Sequence, residues 1–243
     1  MYKRKVVFFT GSGISAESGI NTFRDSGGTW EEHNVMDVAH IDKWKSKVNR
    51  NINRQYMLDF YNNRRSEMIN KLPNDAHKSI GDFMKDDDYD VHVVTQNIDS
   101  LHEMGGATNV MHLHGELNKS RCTLTGKVYE CKGDLNIGDK SVYGSQLRPD
   151  IIWFGEDVSV MPDMIKLLKD VDVVVVCGTS LDVSPANMIF DLLPKGTKKY
   201  FVNKEISIKY SNKDSGIDCY EENATTGITK VINDIKRNYE RNK

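Results

Sequence analysis

Apolar residues cluster along this chain in short β-rich runs, at residues 6–9, 91–95, 172–177 and 199–202. Each run gives way to a Gly-rich or polar turn and then to a longer segment, the alternation of strand, loop and helix found in an open parallel sheet. The run Asp172-Val-Val-Val-Val-Cys177 is apolar throughout, which predicts a central strand covered by helices on both faces. Two stretches break the alternation. Residues 31–85 are charged, Asn-rich and helical in pattern, and residues 116–150 are rich in Gly, Lys and turn formers. They read as two insertions forming a smaller lobe, leaving residues 1–30, 86–115 and 151–243 for the sheet domain. Chain that leaves a sheet and returns creates a cleft at the carboxyl edge of the strands, where open α/β sheets bind ligands.

A chain of 243 residues can bury one substantial core with a smaller insert. Its 33 Lys+Arg nearly cancel its 35 Asp+Glu, for a formal net charge of -2, so no whole-molecule field favours nucleic acid or an acidic membrane. Neither is expected as a partner. The apolar run behind the basic start ends at Thr10, too short for a signal-peptide core or a membrane span. Cys122, Cys131, Cys177 and Cys219 are too scattered to suggest a disulfide framework, and a cytoplasmic setting is expected. Cys177 continues an apolar strand and reads as a core thiol.

The first strand runs into Gly11-Ser12-Gly13-Ile14-Ser15-Ala16, a match to the G-x-G-x-x-G/A fingerprint in its strand-to-helix context. Gly11 suits the tight turn, Gly13 would let backbone approach a pyrophosphate, and the N–H groups of the following helix would face the anion. The expected fold is therefore α/β, a Rossmann-like parallel sheet with helices on both faces plus the smaller lobe. The acidic residue that dehydrogenases place about 20 residues later is not evident. The chain continues instead through Glu17-Ser18-Gly19-Ile20-Asn21-Thr22-Phe23-Arg24 to Trp30, a long loop that argues against hydride transfer.

The strand at 91–95 ends in Gln96-Asn97-Ile98-Asp99, followed by Ser100-Leu101-His102 and then by His112-Leu113-His114-Gly115-Glu116. Amides and a carboxylate at the end of a parallel strand can bond a carboxamide or ribose hydroxyls, although Asn and Asp also cap their own loops. His112 and His114, two residues apart, would share one face of a strand, which opens a metal-ligand reading without a convincing third ligand.

Taken together, these segments resemble the sirtuin family. Gly11 to Arg24 is similar to its first signature, with Ser12 where Ala is usual and Asn21 where Pro is usual, and the likeness extends to about Ala224. The closest resemblance is to bacterial class III members. The resemblance implies NAD as a consumed co-substrate. It would be held by Gly11, Ser12, Gly13, Ile14, Ser15, Ala16, Glu17, Thr22, Phe23, Arg24 and Trp30, and by Gln96, Asn97, Ile98 and Asp99. Gly178, Thr179 and Ser180, then Asn203, Lys204 and Glu205, and finally Ala224 would complete the site. His114 is implied as general base, a task that suits an imidazole of ordinary pKa near 6.5, with Asn97 and Asp99 beside it; His102 is expected to be structural.

The substrate implied is an acylated lysine on a protein or peptide. Met57, Tyr61, Arg64, Met68 and Leu72 recur at helical spacing, so Arg64 falls on an otherwise apolar stripe where a guanidinium needs an anionic or polar partner. From periodicity alone Arg64 could equally reach solvent or pair with a local acid. Class III sirtuins carry a Tyr-x-x-Arg pair here, and Tyr61 with Arg64 reproduces it, which implies removal of succinyl or malonyl as well as acetyl groups. Ser26 stands where those relatives have Ala. Many sirtuins also bind a structural zinc through two Cys-x-x-Cys pairs; here Thr125 replaces the mate of Cys122, residues 140–144 lack cysteine, and Cys131 alone cannot complete a site. No zinc is expected.

The reaction implied begins with attack of the acyl oxygen on the nicotinamide ribose as nicotinamide leaves. His114 then takes a proton from a ribose hydroxyl, and the products are deacylated lysine and O-acyl-ADP-ribose. Two other readings stay open on the sequence: NAD hydrolysis or ADP-ribosyl transfer on the same scaffold, and a binding module that holds NAD or ADP-ribose without turning it over.

Overall fold

The computed structural model describes residues 2–22, 34–181 and 186–241. Its elements are, in order, β1 (Arg4–Thr10), a 3-10 helix (Ser12–Ser18), α1 (Val35–Val38), α2 (Ile41–Lys45), α3 (Arg50–Met68), α4 (Asp75–Phe83), β2 (Tyr89–Thr95) and α5 (Leu101–Met104). There follow β3 (Val110–His112), β4 (Gly115–Cys122), β5 (Val128–Glu130), β6 (Leu147–Ile151), α6 (Met161–Leu168) and β7 (Val173–Cys177). A second 3-10 helix (Ala186–Leu192), β8 (Lys198–Asn203), α7 (Ile208–Ser211), a third 3-10 helix (Lys213–Ser215), β9 (Ile217–Glu221) and α8 (Ala224–Glu240) complete the order.

The larger sheet has six strands in the order β3-β2-β1-β7-β8-β9, and every neighbouring pair is parallel. β1 and β7 are apolar on both sides because the sheet is covered on both faces. Val6, Phe8, Val173 and Val175 face Ala76, Ile80 and Phe83 of α4 and Ile228, Val231 and Ile235 of α8. Val7, Phe9, Val174 and Val176 face Met164 and Leu168 of α6 together with Ala186 and Ile189. The strand order reverses between β1 and β7, so the ends of these two strands frame the crevice that such sheets offer to ligands.

The small lobe pairs the antiparallel sheet β5-β4-β6 with α1, α2 and α3. Its core holds Trp44, Met57, Leu58, Phe60, Tyr61, Leu117, Ile151 and Trp153. The segment predicted as the first insertion divides here: α3 packs in the lobe, whereas α4 packs on the large sheet. Asn74 explains the second half, since Pro73 ends one run and Asn74 forms a capping box with His77 that starts a separate helix. β3 and β9, edge strands with only partly buried apolar residues, are not among the predicted strands. Among the described residues no helix is long and apolar enough to cross a membrane.

Candidate active site

Parallel pairing in register brings strand ends to one edge: Thr10 lies opposite Thr95 and Cys177, Thr95 opposite His112, and Cys177 opposite Val202. Everything that follows these residues in the chain is delivered to the same crevice. Gly11 N–H donates to the Cys177 carbonyl (3.0 Å), Gly13 N–H to the Gly178 carbonyl (2.8 Å) and Gly178 N–H to the Val202 carbonyl (3.1 Å). Gln96 Nε2 donates to Thr179 Oγ1 at 3.1 Å. The segments Gly11–Glu17, Gln96–Asp99 and Gly178–Ser180 therefore converge, with Asn203 at the end of the next strand.

The glycines serve a reason different from the one their motif suggests. A Cβ on Gly13 would stand 2.7 Å from the Gly178 Cα, and one on Gly178, which has φ +66°, would stand 2.3 Å from the Ile14 nitrogen. The two backbones are in contact with each other, and the amides of Gly11 and Gly13 are spent on the adjoining strand end rather than left for a phosphate. The element that follows is a short 3-10 helix closed by Gly19, not the long α-helix of a dehydrogenase fingerprint. Within it Ser18 Oγ is buried without a hydrogen-bond partner, a polar atom available to a ligand.

Behind the loop lies a buried polar cluster. Ser15 Oγ donates to Asp99 Oδ2 (3.2 Å) and accepts from Asn97 Nδ2 (3.1 Å). Asp99 Oδ1 accepts from the Leu101 amide, and burial raises the Asp99 pKa. His77 Nε2 lies 3.4 Å from Ser15 Oγ; burial lowers the pKa of this imidazole to about 4. Thr10 Oγ1 donates to Thr95 Oγ1, so it accepts from His102 Nε2 at 2.9 Å, and His102 takes the structural role expected of it.

His114 ends this series. A carbonyl only accepts, so the 2.9 Å contact between His114 Nδ1 and the Gln96 carbonyl fixes the proton on Nδ1 and leaves Nε2 as the accepting nitrogen of the ring. Burial lowers the pKa of the ring, partly opposed by that backbone bond. His112 differs although it is two residues away: Nδ1 donates to the Asn97 carbonyl and Nε2 contacts Glu103 at 2.9 Å. Among the described residues no three His, Cys, Asp or Glu side chains gather as a metal site.

The small lobe is tied to this histidine through backbone. Gly115, at φ +81° and with no space for a Cβ against the Asp150 carbonyl, turns the chain from His114 into β4. Ile152 N–H donates to the His114 carbonyl, and the next residue, Trp153, donates its indole N–H to Tyr61 Oη at 2.9 Å. Arg65 of the same helix donates Nε to the Leu117 carbonyl. Arg64 pairs with Glu67 at 2.8 Å, and Leu72 lies exposed beyond the end of α3.

Several sequence-predicted residues sit differently from a simple ligand cradle. Glu17 accepts from the amide and hydroxyl of Thr225, so its carboxylate holds the first turn of α8, beside buried Ala224. Asn203 donates to the Glu205 carbonyl, while Lys204 and Glu205 are exposed. Thr22 is half-buried, and Phe23, Arg24, Ser26 and Trp30 lie outside the described residues. The sequence reading missed His77 and Phe154. Phe154 is 47% exposed and hydrogen-bonded through its backbone to Ala39 and Ile41, next to the segment bound to His114. An aromatic pair at a strand end before Gly155 was the signal available for it.

A doubly wound sheet with a histidine-bearing polar crevice at its switch point, faced by a small lobe, defines a nucleotide-site α/β protein. The Sir2 family model matches residues 11–185, and the chain belongs to that family. It is 41% identical over 230 residues to an NAD-dependent protein deacylase of Helicobacter pylori, covering 94% of each chain. A Sir2 homologue mutant bound to ADP-ribose superposes with a TM-score of 0.83 at 26% identity, over 97% of this chain and 93% of that one. A second Sir2 structure, with a deacetylated peptide and 3'-O-acetyl ADP-ribose, gives a TM-score of 0.75 at 26% identity, over 95% and 93%.

Proposed function

We propose that this chain is an NAD-dependent protein-lysine deacylase that releases nicotinamide and O-acyl-ADP-ribose and acts on acidic acyl groups as well as acetyl. The observation that carries the reading is His114, with its Nδ1 proton held by the Gln96 carbonyl and its Nε2 without a hydrogen bond among the described residues. The residues fit NAD: the converging segments at the strand ends, the Ser18 hydroxyl, which has no partner among the described residues, and the Asn97–Asp99 cluster supply polar groups where a dinucleotide lies on such a sheet. NAD, when bound, supplies the nicotinamide–ribose bond that is broken.

The protein's own groups divide the remaining work. Asn97 and Asp99 are held rigid by Ser15, so they present fixed acceptors to the nicotinamide end. His114 Nε2 accepts the proton of a ribose hydroxyl. The acyl-lysine enters between the lobes, where Phe154 is exposed beside the His114 strand, with Arg64 on α3 and, one turn before it, Tyr61 buried in the small-lobe core. Tyr61 accepts from Trp153, so its own hydroxyl hydrogen is available to an acyl oxygen. The name of the Helicobacter pylori relative and the peptide complex of the second Sir2 structure support this substrate class.

The small lobe is read as zinc-free. Its two nearby thiols do not fit a four-thiolate site: Cys122 Sγ accepts from Ser141 Oγ at 3.2 Å, and Cys131 Sγ donates to the Gly133 carbonyl.

Nicotinamide release in the presence of NAD and a succinyl- or acetyl-lysine peptide tests the function. Release should require the peptide, and His114→Ala should lower it by at least about 100-fold, as loss of a general base does, while ADP-ribose binding measured by calorimetry persists. Rapid nicotinamide release without peptide would favour NAD hydrolysis instead, and binding with no release in the unaltered protein would leave a sensor.

A further inference from the structure

The cation placed for an acidic acyl group already has a carboxylate on it. Arg64 Nη1 donates to Glu67 Oε2 at 2.8 Å, from a guanidinium side chain that is only 12% exposed to a carboxylate side chain that is 53% exposed. No other hydrogen bond of the Arg64 side chain is seen among the described residues, so Nε and Nη2 keep their hydrogens for a further acceptor. Arg64 also lies near enough to the Tyr61 hydroxyl to favour its ionised form, against the larger opposing effect of burial. Tyr61 is in turn one hydrogen bond from Trp153, which follows the residue bound to the His114 carbonyl.

Glu67 is poorly placed to stay. It stands in the last turn of α3, where the negative end of the helix dipole disfavours an anion. Its side chain is half in water, so it is rehydrated on release, and a pair three residues apart with one partner exposed is weakly held. Arg65, the neighbouring cation, is not a substitute: it is buried and committed through Nε to Leu117 and through Nη1 to Asn62.

We propose that Glu67 sets the acyl preference of this chain by acting as a tethered competitor, a carboxylate that occupies Arg64 until the carboxylate of a succinyl or malonyl group displaces it. The proposal rests on the reading of Arg64 as the acyl receptor. An acidic acyl group must remove one charge from the guanidinium before it can take two hydrogen bonds, whereas an acetyl group meets the pair intact. Acidic acyl chains are therefore accepted with a raised KM, and the enzyme stays a general deacylase instead of one narrowed to acidic groups.

Steady-state kinetics on acetyl-, succinyl- and malonyl-lysine versions of one peptide test this with Glu67→Gln, Glu67→Ala and Arg64→Met. Both Glu67 variants should lower KM for the succinyl and malonyl peptides about two- to fivefold, the scale of one displaced surface ion pair, and so raise the succinyl-to-acetyl ratio of kcat/KM. Thermal melts show whether each variant is folded. The proposal is overturned if, in folded variants, all three peptides change together, if KM for the acidic peptides is unmoved, or if it rises. Arg64→Met separates this from the reading beneath it: if it leaves the succinyl-to-acetyl ratio unaltered, Arg64 is not the receptor; if the ratio collapses while the Glu67 variants match the parent, the receptor stands and the competitor does not. Succinyl turnover absent from both the parent and the Glu67 variants would overturn both.

Discussion

One hydrogen bond decides what His114 can do. With Nδ1–H given to Gln96 the ring presents a lone pair, and burial, by disfavouring the imidazolium, lowers its pKa below the ordinary 6.5. The base is therefore unprotonated at neutral pH, and protonation removes it only in acid. The steady-state kcat for deacylated-peptide formation, which includes the step given to His114, should show an acid limb below pH 6.5; a limb above about pH 7 would mean that another group titrates or that the ring is more exposed than it is here. At this scale the sequence is informative where a residue acts by its type. Asn97, Asp99 and His114 stand out because amide, carboxylate and imidazole follow strand ends. Gly13 is visible as a glycine, but not its reason, because contact with Gly178 joins residues 165 positions apart. His77 is hidden for the same cause: its link to Ser15 crosses from α4 to the nucleotide loop, and no local pattern distinguishes it from a capping residue.

Elements explain why the small lobe holds its shape. Asn62 of α3 donates to the Leu135 carbonyl and accepts from the Leu135 amide, which clamps the loop after β5 to the helix. Trp153 packs between Trp44 and Tyr61, its centroid 5.4 Å from the first and 6.2 Å from the second, and the Arg148 guanidinium lies 4.1 Å from the Trp153 ring while paired with Glu156. Such a core can orient β4 and β6 through packing and backbone clamps. Cys122 belongs to this scheme as a hydrogen-bonded sulfur whose pKa is lowered to about 6 by Ser141 and then Thr125. If the lobe is zinc-free, prolonged treatment with a strong chelator will leave the melting temperature and the deacylation rate unchanged, and elemental analysis will find far less than one zinc per chain; a melting temperature that falls on chelation and returns with zinc would refute it. The four inner strands of the large sheet were legible because apolar-rich runs leave little choice, whereas the half-buried edge strands β3 and β9 carry no such run. The division of residues 31–85 between lobe and sheet was not, because amphipathic helices of either kind carry the same periodicity and only tertiary packing assigns the face.

The whole molecule places its catalytic crevice above a buried, neutral and proton-sensitive cluster, and that has a consequence for stability. His77 folds with a pKa lowered by burial from 6.5 to about 4, and His102 is lowered well below 6.5 by burial and by the neighbouring His77. The folded state keeps both rings neutral, whereas the unfolded chain protonates them as pH falls through 6.5. Between 6.5 and about 4 the unfolded state thus binds more protons at His77, and stability declines with falling pH by up to about 1.4 kcal/mol per pH unit from that ring, with His102 acting in the same direction. Asp99 works in the opposite sense. Burial raises its folded pKa above 3.8, so in the range just above 3.8 the folded state binds its proton more readily and gains stability as pH falls. His112, raised by Glu103 against the effect of burial, joins Asp99, and His114, lowered by burial, joins the other two rings; three lowered imidazoles against these two groups leave a net loss in acid. Urea unfolding should show a midpoint that drops steadily from about pH 7 to about pH 5, and a folded His77→Asn variant should show a shallower dependence. A midpoint independent of pH across that interval would mean that the cluster admits water or rearranges when charged, and then the rigid Ser15, Asn97 and Asp99 geometry assigned to the nicotinamide end would lose its support.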